Sequence, residues 1–111
     1  MAAGEKRGER VVVLNLMGIS SVTDYFVITD ASSEVQVRAI TNGVEEELAA
    51  RGVLPLRREG WDDARWVLLD YGDVVVHIFR TEEREYYDLE RLWGDAPRYT
   101  LNEAGDGLVP E

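Results

Sequence analysis

The sequence predicts an α/β (α+β) fold, in which a mixed sheet of about five strands packs against at least two helices. Short β-branched runs bounded by turn residues predict the strands, and apolar residues that recur at helical spacing predict the helices. Their order along the chain is strand, strand, helix, edge strand, strand, strand, helix. A chain of 111 residues with 45% hydrophobic residues can bury a core of its own, so we expect one domain.

The first half of the chain is predicted to form two antiparallel neighbouring strands and one long helix. Residues 10–16 and 24–29 are nearly continuous apolar runs that a short turn separates. Residues 34–50 carry an apolar stripe with helical spacing, and Ser33 with Gln36 matches a capping box at its start. The stripe consists of Val37, Ile40, Val44 and Leu48.

The second half is predicted to form an edge strand, a hairpin and an acidic helix. Pro55 confines residues 53–58 to a sheet edge, because proline cannot donate to a strand ladder. Residues 65–71 and 73–79 are predicted to pair as a hairpin around a glycine turn. Thr81 is predicted to cap the helix that follows.

The two ends of the chain have weaker patterns than its middle. Residues 1–9 are small and charged, which predicts a flexible N-terminus. Residues 99–111 have weak periodicity and are predicted to form a frayed C-terminal tail. The predicted domain therefore spans residues 10–98.

The charge of the chain indicates which partners it favours. The 22 acidic residues outnumber the 12 basic ones, for a formal net charge of −10. This field repels phosphate backbones, so no direct nucleic-acid specificity is expected. It steers basic partners toward the protein, although the same charge could serve solubility alone.

Several kinds of chemistry lack the residues they need. Without cysteine, the chain can form no disulfide and no thiolate-ligated metal site, and His77 is its only histidine. No cofactor or metal is therefore expected. A polar N-terminus and short apolar runs predict neither a signal peptide nor a membrane span, so we expect a cytoplasmic protein.

One enzymatic alternative is a nucleotide-transfer site. Gly18, Ser20 and Ser21 imitate the turn of such a site, and Asp24 imitates its first metal-binding carboxylate. Phe26 stands where a second carboxylate is needed. Asp30 lies on the same strand face but roughly 20 Å away, too far to share one ion. The alternative is a divergent nucleotidyltransferase-like enzyme that uses a metal at Asp24.

The aromatic residues of the hairpin suggest a docking face. Strand periodicity places Trp66, Leu68 and Asp70 on one side of the strand and Val67 and Leu69 on the other. The Val67 side is the better candidate for the core under a helix. Trp66 would then lie on a less covered surface rimmed by acid, which is typical of protein docking sites. Burial of Trp66 as an ordinary core residue is the competing interpretation.

Four segments, in the same order along the chain, closely resemble the ribosomal silencing factor family (iojap-like, RsfS). They are DYFVI at residues 24–28, SSEVQVRAI at 32–40, WVLLDYGDVVVHIF at 66–79 and YDLERLW at 87–93. The resemblance extends over roughly residues 10–98. Family members usually carry a helix before the first strand, whereas here only MAAGEKRGE precedes Arg10.

The resemblance implies a fold related to nucleotidyltransferases but without their catalytic site. It implies a translation repressor that binds the large ribosomal subunit through the basic ribosomal protein uL-fourteen. Such a protein blocks joining of the small subunit when nutrients are limiting, and it tends to form homodimers. Trp66 falls on a family position implicated in the ribosomal contact. Strand geometry extends the predicted partner-binding set to Leu68, Asp70, Tyr71, Asp73 and His77.

Overall fold

A single mixed β-sheet organises the described part of the chain. The computed structural model describes residues 11–105 and 107–111, so the prediction for residues 1–9 lies outside it. The strands are β1 (Val12–Asn15), β2 (Tyr25–Ala31), β3 (Arg57–Glu59), β4 (Trp66–Asp70), β5 (Val74–Arg80), β6 (Arg98–Leu101) and β7 (Leu108–Pro110). Their order across the sheet is β3-β4-β5-β2-β1-β6-β7. The β2–β5 pair is parallel, and the other described pairs are antiparallel.

Three helical segments cover this sheet: α1 (Glu34–Ala50), α2 (Thr81–Tyr87) and α3 (Leu89–Leu92). The bounds of α1 confirm the predicted helix. The Ser33 half of the predicted capping box is present, because the Ser33 hydroxyl accepts a hydrogen bond from the Gln36 backbone amide at 3.2 Å. The Gln36 side-chain oxygen accepts instead from the Ser32 hydroxyl at 2.8 Å. None of the described helices has the length and apolar content that crossing a membrane requires.

The two faces of the sheet carry separate hydrophobic clusters, because successive strand residues point to opposite sides. Helix α1 covers one face, and the segment that contains α2 and α3 covers part of the other. The cluster under α1 contains Val37, Val67, Leu69, Val76 and Ile78. The opposite cluster contains Val12, Leu14, Leu16, Ile28, Phe79, Leu89 and Ala96.

The sheet has seven strands where about five were predicted. The two extra strands, β6 and β7, come from residues 99–111 and their border, so the predicted tail is corrected. Strand β6 pairs with β1, with Val13 opposite Tyr99. The strand has only four residues, Arg98–Leu101, and although they alternate polar and apolar side chains, so short a run is a weak strand signal, and every residue in it is only partly buried.

The last predicted helix is two helices, because the helical backbone conformation is interrupted at Asp88. Asp88 has a left-handed conformation (φ 49°), which aspartate tolerates better than most residues. The predicted Thr81 cap is also wrong. Residue Arg80 precedes the helix without a side-chain cap, and the Thr81 hydroxyl donates instead to the Ala31 carbonyl at 3.3 Å.

A buried ion network fastens α2 and α3 to the sheet. Arg84 on α2 contacts Asp30 on β2 at 2.9 Å and Glu90 on α3 at 2.8 Å. All three side chains are about nine-tenths buried or more. Charges at this depth are tolerated only when they are paired, so the network fixes where the short helices lie.

Substitution of Gly60 tests how closely the loop before β4 packs against the backbone of that strand. Gly60 has a positive φ of 82°, and a Cβ at this position would overlap with the Trp66 carbonyl oxygen. Gly60→Ala should lower the free energy of unfolding by more than about 2 kcal/mol, through strain and the clash together. Gly52→Ala is the matched control: φ is 81°, but nothing lies within 4 Å, so only about 1 kcal/mol is expected. Equal losses in urea unfolding would contradict the clash.

Arg84 tests the ion network. Arg84→Met should lower the free energy of unfolding by about 3–5 kcal/mol, because it removes the cation that contacts the buried Asp30 and Glu90 carboxylates. Arg91→Met is the control, since Arg91 is exposed on α3 and its loss should cost less than about 0.5 kcal/mol. Chemical denaturation measures both. A loss under about 1 kcal/mol for Arg84→Met would show that the network does not hold the helices.

Candidate docking surface

Trp66 lies on the face of β4 that was predicted to be less covered. Val67 and Leu69 are completely buried under α1, which confirms their assignment to the core. Trp66, Leu68 and Asp70 are only partly buried on the opposite face. The Trp66 ring packs against the cluster that contains Phe79 and Leu89. One side of the indole is therefore anchored, and the residue is neither free nor sealed in the core.

His77 anchors the indole. The Trp66 Nε1–H donates to His77 Nδ1 at 3.0 Å, which leaves the imidazole proton on Nε2. Only 3% of His77 is exposed, so its predicted role as a surface contact is corrected. Burial lowers the pKa of the His77 imidazole to about 4. The ring therefore stays neutral near pH 7, as an acceptor for the indole requires.

Two tyrosines of α2 extend the surface around Trp66. The Tyr87 ring lies 4.8 Å from the indole, and the Tyr86 ring lies 5.1 Å from Tyr87 in an edge-to-face arrangement. Tyr86 is 81% exposed and Tyr87 is 48% exposed. On the other side, Phe26 contacts both His77 and Trp93. We call this surface the aromatic patch; it comprises Phe26, Trp66, Leu68, Tyr86, Tyr87 and Trp93.

Asp70 lies at the edge of the aromatic patch and is already paired. Its Oδ1 accepts a hydrogen bond from the Gly72 amide at 2.8 Å, which shapes the turn between β4 and β5. Its Oδ2 accepts two bonds from Arg57 on β3, at 3.2 and 3.1 Å. The carboxylate that was predicted to meet a partner is thus bound to a cation of the same chain.

Tyr71 and Asp73 lie away from the aromatic patch. Tyr71 packs against the cluster under α1, on the other face of the sheet, and burial raises the pKa of its phenol. Asp73 is exposed in the hairpin turn. Its carbonyl accepts the amides of Asp24 and Tyr25, so its visible role is to join the hairpin to β2.

The carboxylates of the enzymatic alternative are not brought together. Asp24 precedes β2, whereas Asp30 lies near its other end. Asp30 is committed to Arg84 at 2.9 Å. Among the described residues, no three or more Asp, Glu or His side chains are grouped to hold a metal ion. Within residues 11–105 and 107–111, the two carboxylates of the enzymatic alternative therefore form no shared metal site.

Sequence reasoning missed the two tyrosines and the pairing of Arg57. Helical periodicity placed only one of Tyr86 and Tyr87 on the apolar side of a continuous helix. In the structure Tyr87 lies beside Trp66 and is about half exposed, whereas Tyr86 contacts Tyr87 and is mostly exposed. The acidic rim was visible in the sequence, but its internal cation depends on the β3–β4 register, in which Arg57 faces Asp70.

The imidazole of His77 predicts how stability depends on pH. Its pKa of about 4 in the folded chain lies below the ordinary value of 6.5, so the unfolded chain takes up a proton first as the pH falls. The stability that neutral His77 contributes is complete above pH 6.5 and is lost toward pH 4, by up to about 3 kcal/mol. Because the chain has one histidine, ring-proton NMR can follow this titration directly.

The control for this titration is Trp66→Phe, which keeps an aromatic ring but removes the N–H that Nδ1 accepts. It should raise the pKa of His77, because the neutral imidazole loses the bond that favours it. A midpoint between 6 and 7 in the folded wild-type chain would contradict the buried, neutral imidazole.

Comparisons with known proteins agree with this geometry. A family described as "Ribosomal silencing factor during starvation" matches residues 1–109. The ribosomal silencing factor RsfS of Bacillus subtilis is 49% identical over 101 residues, which covers 91% of this chain and 86% of that protein.

Two solved structures have the same fold. A protein from Bacillus halodurans matches with a TM-score of 0.71 and 48% identity, over 83% of this chain and 86% of that one. A protein from Chromobacterium violaceum matches with a TM-score of 0.75 and 34% identity, over 84% of this chain and 78% of that one. The extent of the sequence match, carried through the aromatic hairpin and the helices beside it, shows that the chain belongs to the ribosomal silencing factor family.

Proposed function

We propose that this protein is a translation repressor that binds the large ribosomal subunit through the ribosomal protein uL-fourteen. In this position it blocks joining of the small subunit and lowers translation under nutrient limitation. The family supports a ribosome-associated regulator of translation. The named partner and the block of subunit joining are what the resemblance of residues 24–28, 32–40, 66–79 and 87–93 implies.

The observation that carries the proposal is the aromatic patch. Interfaces draw most of their binding energy from a few large residues in partly desolvated positions, and tryptophan and tyrosine are prominent among them. Trp66 is fixed from behind by His77, so its orientation is set before any partner arrives. Tyr86 and Tyr87 add exposed aromatic area beside it. Such a pre-ordered surface loses little side-chain entropy on binding.

Charge supports a basic partner. The net charge of −10 steers a cationic ribosomal protein toward this domain and disfavours direct contact with rRNA phosphates. The contact would then be protein to protein, with the apolar patch at its centre and acidic residues at its rim. This arrangement resembles the usual anatomy of a protein interface.

The mechanism is steric and not enzymatic. A folded domain on the joining face of the large subunit occupies volume that the small subunit needs, and no bond is made or broken. The kinship of the fold with nucleotidyltransferases remains an implication of the family resemblance. The pairing of Asp30 with Arg84 supports the view that the corresponding chemistry is absent. The proposal places the protein in the cytoplasm, where ribosomal subunits join.

Trp66→Ala and Tyr86→Ala test the docking surface. Each should weaken co-sedimentation with purified large subunits in a sucrose gradient, Trp66→Ala by at least about tenfold, because these residues supply the central contact. Tyr86 is so exposed that its loss should leave the free energy of unfolding within about 0.5 kcal/mol of wild type. Both variants should also restore joining of added small subunits.

Trp61→Ala is the matched control. Trp61 is another partly buried tryptophan, but its ring lies 4.4 Å from the Arg58 guanidinium and 5.8 Å from that of Arg38 on α1. Its loss should leave co-sedimentation unchanged. Equal binding by wild type, Trp66→Ala and Tyr86→Ala would refute the patch. A chain that forms homodimers, as the resemblance implies, but does not co-sediment with large subunits would instead be a self-associating scaffold.

A further inference from the structure

Arg57 lies over the acidic rim of the aromatic patch. In the β3–β4 register, Arg57 faces Asp70 and Glu59 faces Leu68. Residues directly opposite each other on paired strands point to the same side, so Arg57 shares the face of Trp66 and Leu68. Arg57 bonds the Asp70 carboxylate through Nε and Nη2, at 3.2 and 3.1 Å. Its Nη1 contacts Glu59 at 2.9 Å.

This geometry places a cation of the protein itself where a basic partner would offer its own. We propose that Arg57 limits the affinity of the aromatic patch for its partner, and that a cationic side chain of the partner displaces Arg57 from Asp70. The inference rests on the proposed function, because it requires a basic protein at this surface. Arg57 is then a specificity-determining residue, because a partner without a cation placed to replace it at Asp70 binds more weakly.

The exposures of the two side chains make this exchange feasible. The Asp70 side chain is 18% exposed and is held in place by the Gly72 amide, so its carboxylate keeps its position when the cation changes. The Arg57 side chain is 61% exposed, and exposed ion pairs contribute little to stability. After displacement, Arg57 still has Glu59 as a partner. Its departure therefore leaves no buried charge unpaired.

The neighbouring arginine provides an internal comparison. Arg58 is the next residue of β3, so its side chain points to the opposite face of the sheet. It pairs with Glu45 of α1 at 3.1 Å and lies 4.4 Å from the centre of the Trp61 ring. The two arginines carry the same charge and lie on the same strand, but their side chains point to opposite faces of the sheet. Of the two, only Arg57 lies beside the aromatic patch.

The test compares Arg57→Gln with Arg58→Gln in binding to purified large ribosomal subunits. Arg57→Gln should bind about two- to fivefold more tightly than wild type, the range to which the worth of an exposed ion pair converts. Arg58→Gln should bind as wild type does, although it changes the net charge equally. Urea unfolding checks that both variants fold. Weaker or unchanged binding by Arg57→Gln would overturn the inference.

A double-mutant cycle separates release of Asp70 from a general gain in negative charge. If Arg57 acts by covering Asp70, the gain in binding free energy from Arg57→Gln should be at least halved when the substitution is made in an Asp70→Asn background. A full gain in that background would overturn the inference. Binding that is weakened by Trp66→Ala but unchanged by Arg57→Gln would overturn this inference alone. No binding by the wild-type chain would overturn the proposed function as well.

Discussion

The hydrogen bond between the Trp66 indole and the His77 imidazole is the interaction on which the docking surface depends. It joins adjacent strands on the face away from α1, and it keeps a large aromatic side chain partly exposed in one orientation. A neutral imidazole is needed for this bond, and burial of His77 secures it. The same pair of residues therefore packs into the core and holds the exposed part of the indole in place.

The short helices α2 and α3 complete the surface. Buried ion pairs hold them against the sheet, and a left-handed residue separates one helix from the other. Arg84 bonds Asp30 of the sheet and Glu90 of α3, and the left-handed Asp88 lies between the two helices. On α2, Tyr87 contacts the indole and Tyr86 beside it is mostly exposed. Buried charge thus positions exposed aromatic residues, although no member of the network lies in the aromatic patch itself.

Sequence patterns predicted what depends on local periodicity. Helix α1, its Ser33 cap, the hairpin and the burial of Val67 and Leu69 all follow from spacing within one segment. Features set by distant contacts were missed. Strand β6 pairs with the edge of β1, and its four partly buried residues are too short a run for their alternation to have predicted a strand. The break at Asp88, the burial of His77 and the bond between Arg57 and Asp70 likewise depend on how separate segments meet.

The central claim is that the aromatic patch is the surface that binding covers. Hydroxyl-radical footprinting of the protein, free and bound to large ribosomal subunits, tests it most directly. We expect Tyr86 and Tyr87 to lose most of their reactivity toward hydroxyl radicals on binding. Tyr99, on β6 toward the opposite edge of the sheet from β4, should stay as reactive as before. Undiminished oxidation of Tyr86 and Tyr87 in the bound state would contradict it.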